Sequence, residues 1–156
     1  MGYTGYSIED IEDAILTTLQ EDKTLAAYIK TFERMPWDNI TELGKILKQY
    51  PAIVVTYKGG VDDNDIYSVC DHAGVFAVLC AHKNVRSPSA AANGPVSGEK
   101  GVYAMLGDVL SALNFSKIGL DISSCISKGV RAVGATQSLT IFSREFEIIW
   151  RFTHSA

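Results

Sequence analysis

Apolar residues along this chain recur with two distinct periods, and the period changes mark the elements. Ile8, Ile11, Ile15, Leu16 and Leu19 follow helical spacing. Ser7 precedes them as a good N-cap with Asp10 three residues on, close to a capping box. Glu9, Asp10, Glu12 and Asp13 crowd the first turns, where the helix dipole favours negative charge. The pattern predicts a helix from Ser7 to Gln20. Ala27–Met35 (AYIKTFERM) alternates as a strand would, without a clear buried side. Asp38–Gln49 reads as a second helix, with Ile40, Leu43, Ile46 and Leu47 on one face, Asp38 as its cap and Pro51 as its stop.

Ala52–Tyr57 (AIVVTY) is a short apolar, β-branched run that ends at Gly59-Gly60, and it predicts a buried strand. Val61–Asp65 reads as a polar loop. Ile66–Cys70 and Val75–His82 flank Asp71-His72-Ala73-Gly74, which carries turn residues, so a β-hairpin is expected there. Its second arm, VFAVLCAH, is apolar on both faces and belongs in the middle of a sheet covered on both sides. Asn84–Lys100 is rich in Ser, Ala, Gly and Pro and long for a connection. Val102, Leu106, Val109, Leu110 and Leu113 mark another helix. Gly119–Ser127 has no clear period, and Gly129–Phe142 and Arg144–Thr153 predict two closing strands. In the last of these, Phe146, Ile148, Trp150 and Phe152 share one face; Glu145, Glu147 and Arg151 share the other, where Ile149 alone breaks the pattern. The expected fold is α+β in a single domain over residues 1–156, with a long flexible loop at about 84–100. Its sheet, mixed or mainly antiparallel, would have about four to six strands with two main helices packed on it.

Composition narrows the function classes. The chain is 47% hydrophobic and 21% charged with a net charge of -4, and its fourteen basic residues are scattered. That argues against a dedicated nucleic-acid binder, which clusters Lys and Arg. No stretch approaches the length of a membrane helix. MGYTGYSIEDIED is acidic without an apolar core and does not read as a signal peptide, so residence in a cytoplasm or in an assembled particle is expected. The three cysteines, Cys70, Cys80 and Cys125, are odd in number and lack a C-x-x-C spacing, so they read as free thiols.

Each apparent motif fails on its chemistry. GPVSGEKG (94–101) nearly spells a phosphate loop, but Glu99 stands where the second glycine is required and Gly101 where Ser or Thr would hold magnesium. Glu99 and Lys100 read instead as helix-start residues. Cys70-x-His72 and Cys80-x-His82 suggest zinc, yet the expected hairpin separates the cysteines by roughly 16 Å, far beyond shared ligation. Asp62, Asp63, Asn64 and Asp65 resemble the start of a calcium loop, without its glycine or its closing glutamate. No nucleophile motif accompanies the histidines at 72, 82 and 154. No catalytic, cofactor-binding or metal-binding residue is assigned, and a non-enzyme is expected.

The segments SIEDIEDAILTTL, YPAIVVTYKGG, VFAVLCAHKN, GVYAMLGDVLSAL and FEIIWRFT, in this order, resemble the small tail-region proteins of Mu-like phages and prophages. The resemblance covers nearly the whole chain. It implies a structural virion protein, a tail terminator: a homo-oligomeric ring, typically a hexamer, on the head-proximal end of the tail tube. Such a ring ends tube polymerisation and joins the tail to the head. The implied partners are the tube protein, the sheath where there is one, and the head–tail connector proteins. DNA would pass through the lumen without specific binding, and no membrane is involved. A connector or neck ring protein is the nearest alternative, and a small-molecule-binding domain a more distant one. The Asp62–Asp65 and Arg86–Lys100 loops, long and polar beside the central hairpin strand, are expected to reach neighbouring subunits through Asp62, Asp63, Asp65, Arg86, Ser89, Asn93, Glu99 and Lys100.

Overall fold

The computed structural model describes residues 5–36, 43–64, 70–83, 100–135 and 139–151. In chain order these form α1 (Ile8–Glu21), α2 (Lys23–Ala26), β1 (Thr31–Arg34), α3 (Leu43–Ile46), β2 (Ala52–Asn64), β3 (Cys70–Lys83), α4 (Val102–Leu113), β4 (Ile126–Ala135) and β5 (Leu139–Arg151). The fold is α+β. The strands make one mixed sheet in the order β1-β2-β3-β5-β4. Among the described residues β1 and β2 run parallel and the other neighbouring pairs are antiparallel.

α1 begins as its sequence dictates. Ser7 Oγ accepts from the Asp10 amide at 3.1 Å, and Asp10 Oδ2 accepts from the Ser7 amide at 2.9 Å, which closes a full capping box. Ile11, Ile15 and Leu19 are buried along its inner stripe. They meet Val102, Met105, Val109 and Leu113 of α4 over Ile53, Val55, Phe76, Val78, Cys80, Phe146, Ile148 and Trp150 of the sheet. A smaller core lies on the opposite face, where Met35, Leu43 and Leu47 cover Ala52, Val54, Ala77, Leu79, Ala81, Leu139 and Ile141. β3 therefore supplies alternate residues to both cores, and it is the middle strand, as its two-sided apolar run predicts.

Several expectations are corrected. Val61–Asn64 is not a loop but the end of β2, and Asp71–Gly74 is not a turn but the start of β3. The two strands pair without interruption from Asn64↔Cys70 to Gly59↔Val75, so His72 is a buried strand residue. Cross-strand partners hold these polar residues extended despite their turn-like composition. Cys70 and Cys80 consequently sit ten residues apart on one strand, roughly 33 Å at 3.3 Å per residue. The strand expected from Ala27 is confined to Thr31–Arg34, because Asp22 caps a further helical turn (Asp22 Oδ1 to the Leu25 amide, 3.0 Å). The last two strands divide after Ala135 and before Leu139, not at Ser143, which is buried in the middle of β5. Within the described residues the expected helix before Pro51 is limited to Leu43–Ile46, and Asp38 lies outside them.

Candidate interaction surface

The expected site residues divide sharply. Asp65, Arg86, Ser89, Asn93 and Glu99 lie outside the described residues. Asp63 is exposed opposite Asp71 near the tip of the β2–β3 ribbon. Asp62 is exposed but bonded within the ribbon: its Oδ1 lies 2.6 Å from His72 Nδ1, and His72 Nε2 lies 2.6 Å from the Tyr57 hydroxyl. With Asp62 accepting from Nδ1–H, Nε2 is left to accept from Tyr57. This is the connectivity of a proton relay. Burial, reinforced by the Asp62 charge, pushes the Tyr57 phenol above its ordinary value and keeps it protonated. A protonated phenol suits a strut between β2 and β3 better than a nucleophile. The strut is packed with aromatic rings: Trp150 stands edge-on to His72 at 4.8 Å, and Phe76 lies 5.2 Å from Tyr57. Glycine makes room for it at two positions. A Cβ on Gly74 would fall 2.6 Å from the Trp150 ring, and one on Gly60 would fall 2.3 Å from the Ala73 carbonyl oxygen.

Lys100 precedes α4, whose N-cap is Gly101. Its ammonium donates to Asp108 Oδ2 at 2.9 Å and stands 4.8 Å above the Tyr28 ring. The Tyr28 hydroxyl donates to the same carboxylate oxygen at 2.5 Å, and burial followed by that bond drives its pKa upward. Lys100, Tyr28, Lys30, Tyr50 and His82 line an open pocket of about 580 Å³. Lys100 is thus bonded within its own chain.

The surface that composition did not reveal lies on the sheet face away from α1 and α4. Cover from Leu43 and Leu47 reaches only one end of that face. Towards the other end, Val61, Ala73 and Ile149 stand directly opposite one another across β2, β3 and β5. Val61 is 73% exposed and Ile149 46%. Ile126, 42% exposed, extends the apolar area on β4, opposite Glu147. Ion pairs flank the row. Lys58 meets Glu145 at 2.5 Å and Arg131 approaches Glu145 at 3.8 Å on one side, while Arg151 meets Asp71 at 3.1 Å on the other. An apolar centre with a charged rim is the anatomy of a protein–protein contact. Ile149, the residue that breaks the alternation of the last strand, was the sequence signal for it. A second apolar feature is Phe115, 70% exposed and held at φ 65° just after α4. Hydrogen bonds from its amide to the Cys125 carbonyl (2.7 Å) and from the Cys125 amide to the Ser116 carbonyl (2.8 Å) fix this turn.

Two unlike apolar surface features agree with a protein that assembles with others, and comparison with known families adds the context. The family model described as Bacteriophage Mu, Gp37 matches residues 7–151. The chain belongs to that family. The match runs from the α1 cap to the last described residue of β5, so it takes in every element of the sheet. As a member of the Mu Gp37 family the chain is a phage structural protein and a virion component. No curated protein matches it at a significant level. Among the described residues no helix of this family member is long and apolar enough to cross a membrane.

Proposed function

We propose that this chain is the tail terminator of a Mu-like phage or prophage: a ring, of six subunits by analogy, at the head-proximal end of the tail tube. The ring ends tube polymerisation and joins the tail to the head through the connector proteins. The observation that carries this reading is the family match over residues 7–151, which fixes the phage context. The surfaces support the finer role. A closed ring needs two different faces that fit each other, and a terminator needs a further surface for the tube. The open sheet face with its Val61–Ala73–Ile149 row and the Phe115 turn are distinct surfaces of this kind. Residues Asp62, Asp63 and Asp65 and the Arg86–Lys100 segment remain proposed contacts to neighbouring proteins. DNA passes through the ring without being gripped, consistent with a net charge of -4.

Removing the gene from an inducible prophage and imaging the lysate by negative stain tests the role. Tubes of uncontrolled length without heads are expected. Tails of normal length that carry heads would overturn the proposal, and tails of normal length that fail to join heads would reassign the chain to the connector.

A further inference from the structure

The two edges of the sheet differ in charge and match in length. β4, at one edge, carries Lys128 and Arg131 and no acid, and both are exposed. Arg131 keeps 69% of its side chain in solvent, with Glu145 at 3.8 Å as a distant partner. β1, at the other edge, carries the exposed Glu33. Beside it, Arg34 is engaged by Glu12 at 3.5 Å and Asp13 at 3.2 Å. β4 is therefore cationic, whereas β1 presents Glu33 on one face and, on the other, an Arg34 held by α1 carboxylates, with exposed Lys30 just before it.

Length and direction agree with charge. Bulges between Ser127 and Gly129 and between Ala132 and Gly134 leave Gly129–Ala132 as the regular stretch of β4, as long as the four-residue β1. Among the described residues, β1 pairs only with β2 and β4 only with β5. Following the sheet across, β1 and β2 run one way, β3 the other, β5 back again and β4 against it. A copy placed beside β4 in the same orientation would thus bring its β1 antiparallel to β4, the more stable pairing. The faces match as well. Glu33 pairs with Val54 and Arg131 with Ser143, which puts both on the sheet face away from α1 and α4. Phe32 and the 46%-exposed Val130 lie on the helix-covered face.

We propose that copies of this chain join head to tail by pairing Gly129–Ala132 of one with Thr31–Arg34 of the next, Arg131 beside Glu33. The sheet then continues from subunit to subunit. This specifies the subunit contact of the ring proposed above and rests on that reading. An edge that is otherwise an aggregation hazard is, in this arrangement, selective for its own opposite edge.

Cysteine pairing tests it, because directly opposed strand residues sit at disulfide distance. The full chain carrying both Glu33→Cys and Arg131→Cys should give a ladder of oxidised multimers on a non-reducing gel, while either single variant stays at the wild-type level. Single variants that cross-link as well as the double would reveal a symmetric contact and overturn the proposal. Native mass spectrometry of the wild type separates the two readings. Multi-copy species without a ladder overturn the edge pairing and leave the ring standing; a monomer without a ladder counts against both. Charge reversal adds an independent arm. Glu33→Arg or Arg131→Glu alone should raise the concentration for half-assembly roughly tenfold, and the two combined should restore it. Equal assembly in all four proteins would overturn the charge selection.

Discussion

The two faces of the sheet are built from the same strands and finish differently. On one, α1 and α4 seal the sheet from Ile53 to Trp150 with long apolar side chains. On the other, Leu43, Leu47 and Met35 cover a floor partly made of alanines (Ala52, Ala77, Ala81), and the cover stops before Val61 and Ile149. The first face finishes the domain by itself. The second leaves apolar area for something else to bury. Stability of the subunit should therefore reside on the first face and assembly on the second, a division that substitutions can break.

The largest effect is expected from Phe76→Ala. Phe76 is fully buried on the helix-covered face between Tyr57 and Trp150. Its removal empties the centre of the larger core and should cost about 3–5 kcal/mol in denaturant unfolding. A loss under about 1 kcal/mol would mean that this face is not the one holding the subunit together.

How much of this division the sequence could show depends on the range of the interactions. α1 was legible because a capping box and a 3.6-residue stripe are local, and the central place of β3 followed from VFAVLCAH being apolar on both faces. The outer half of the β2–β3 ribbon was not legible. Asp62, Asp71 and Gly74 are turn residues by composition, and what straightens them lies far off in sequence: Asp62 binds His72, Asp71 pairs with Arg151, and Gly74 admits the Trp150 ring. The break between β4 and β5 was misplaced because Ser143 and Arg144 look like a boundary. In fact Arg144 Nε donates to the Leu106 carbonyl of α4 at 3.0 Å, a partner no local pattern announces. Of the proposed contact residues, Asp62 bonds His72 within the ribbon and stays exposed, while Ile149 signals the open face simply by being apolar where its neighbours are charged.

Alkaline pH should attack the same covered face, with a smaller effect. Burial pushes the Cys80 thiol up to about 12 and the Cys125 thiol likewise to about 12, and both belong to the larger core. From about pH 9 upward the unfolded chain releases thiol protons that the folded chain keeps, so stability falls as pH rises. Each thiol contributes at most about 1.4 kcal/mol per pH unit, the limit reached once the unfolded thiol is fully ionised. Between pH 9 and 10 the thiols act ahead of the tyrosines, whose ordinary value is 10.0. Denaturant midpoints across that interval should decline, and Cys80→Ala should flatten the slope. An unchanged slope in that variant would show that the covered face is not the origin of the effect.

The smallest effect on the subunit, and the sharpest on the comparison, is expected from Ile149→Ser. The backbone of Ile149 is held independently of its side chain, because its amide donates to Ser123 Oγ at 2.8 Å and its carbonyl accepts from the Ser123 amide at 3.0 Å. The side chain is 46% exposed and stands in a row with Ala73 and Val61 on the uncovered face. Serine there removes little buried area, so unfolding should change by no more than about 0.5 kcal/mol. If that row is buried only in the assembled particle, the same substitution should reduce the yield of joined virions when supplied in place of the wild-type gene. Val61→Ser, at the other end of the row, should act in the same direction. A stable Ile149→Ser subunit that still builds normal particles would place the assembly contact elsewhere and leave the open face as ordinary surface. A strongly destabilised one would mean that the sheet is sealed on both faces, and the contrast between them would disappear.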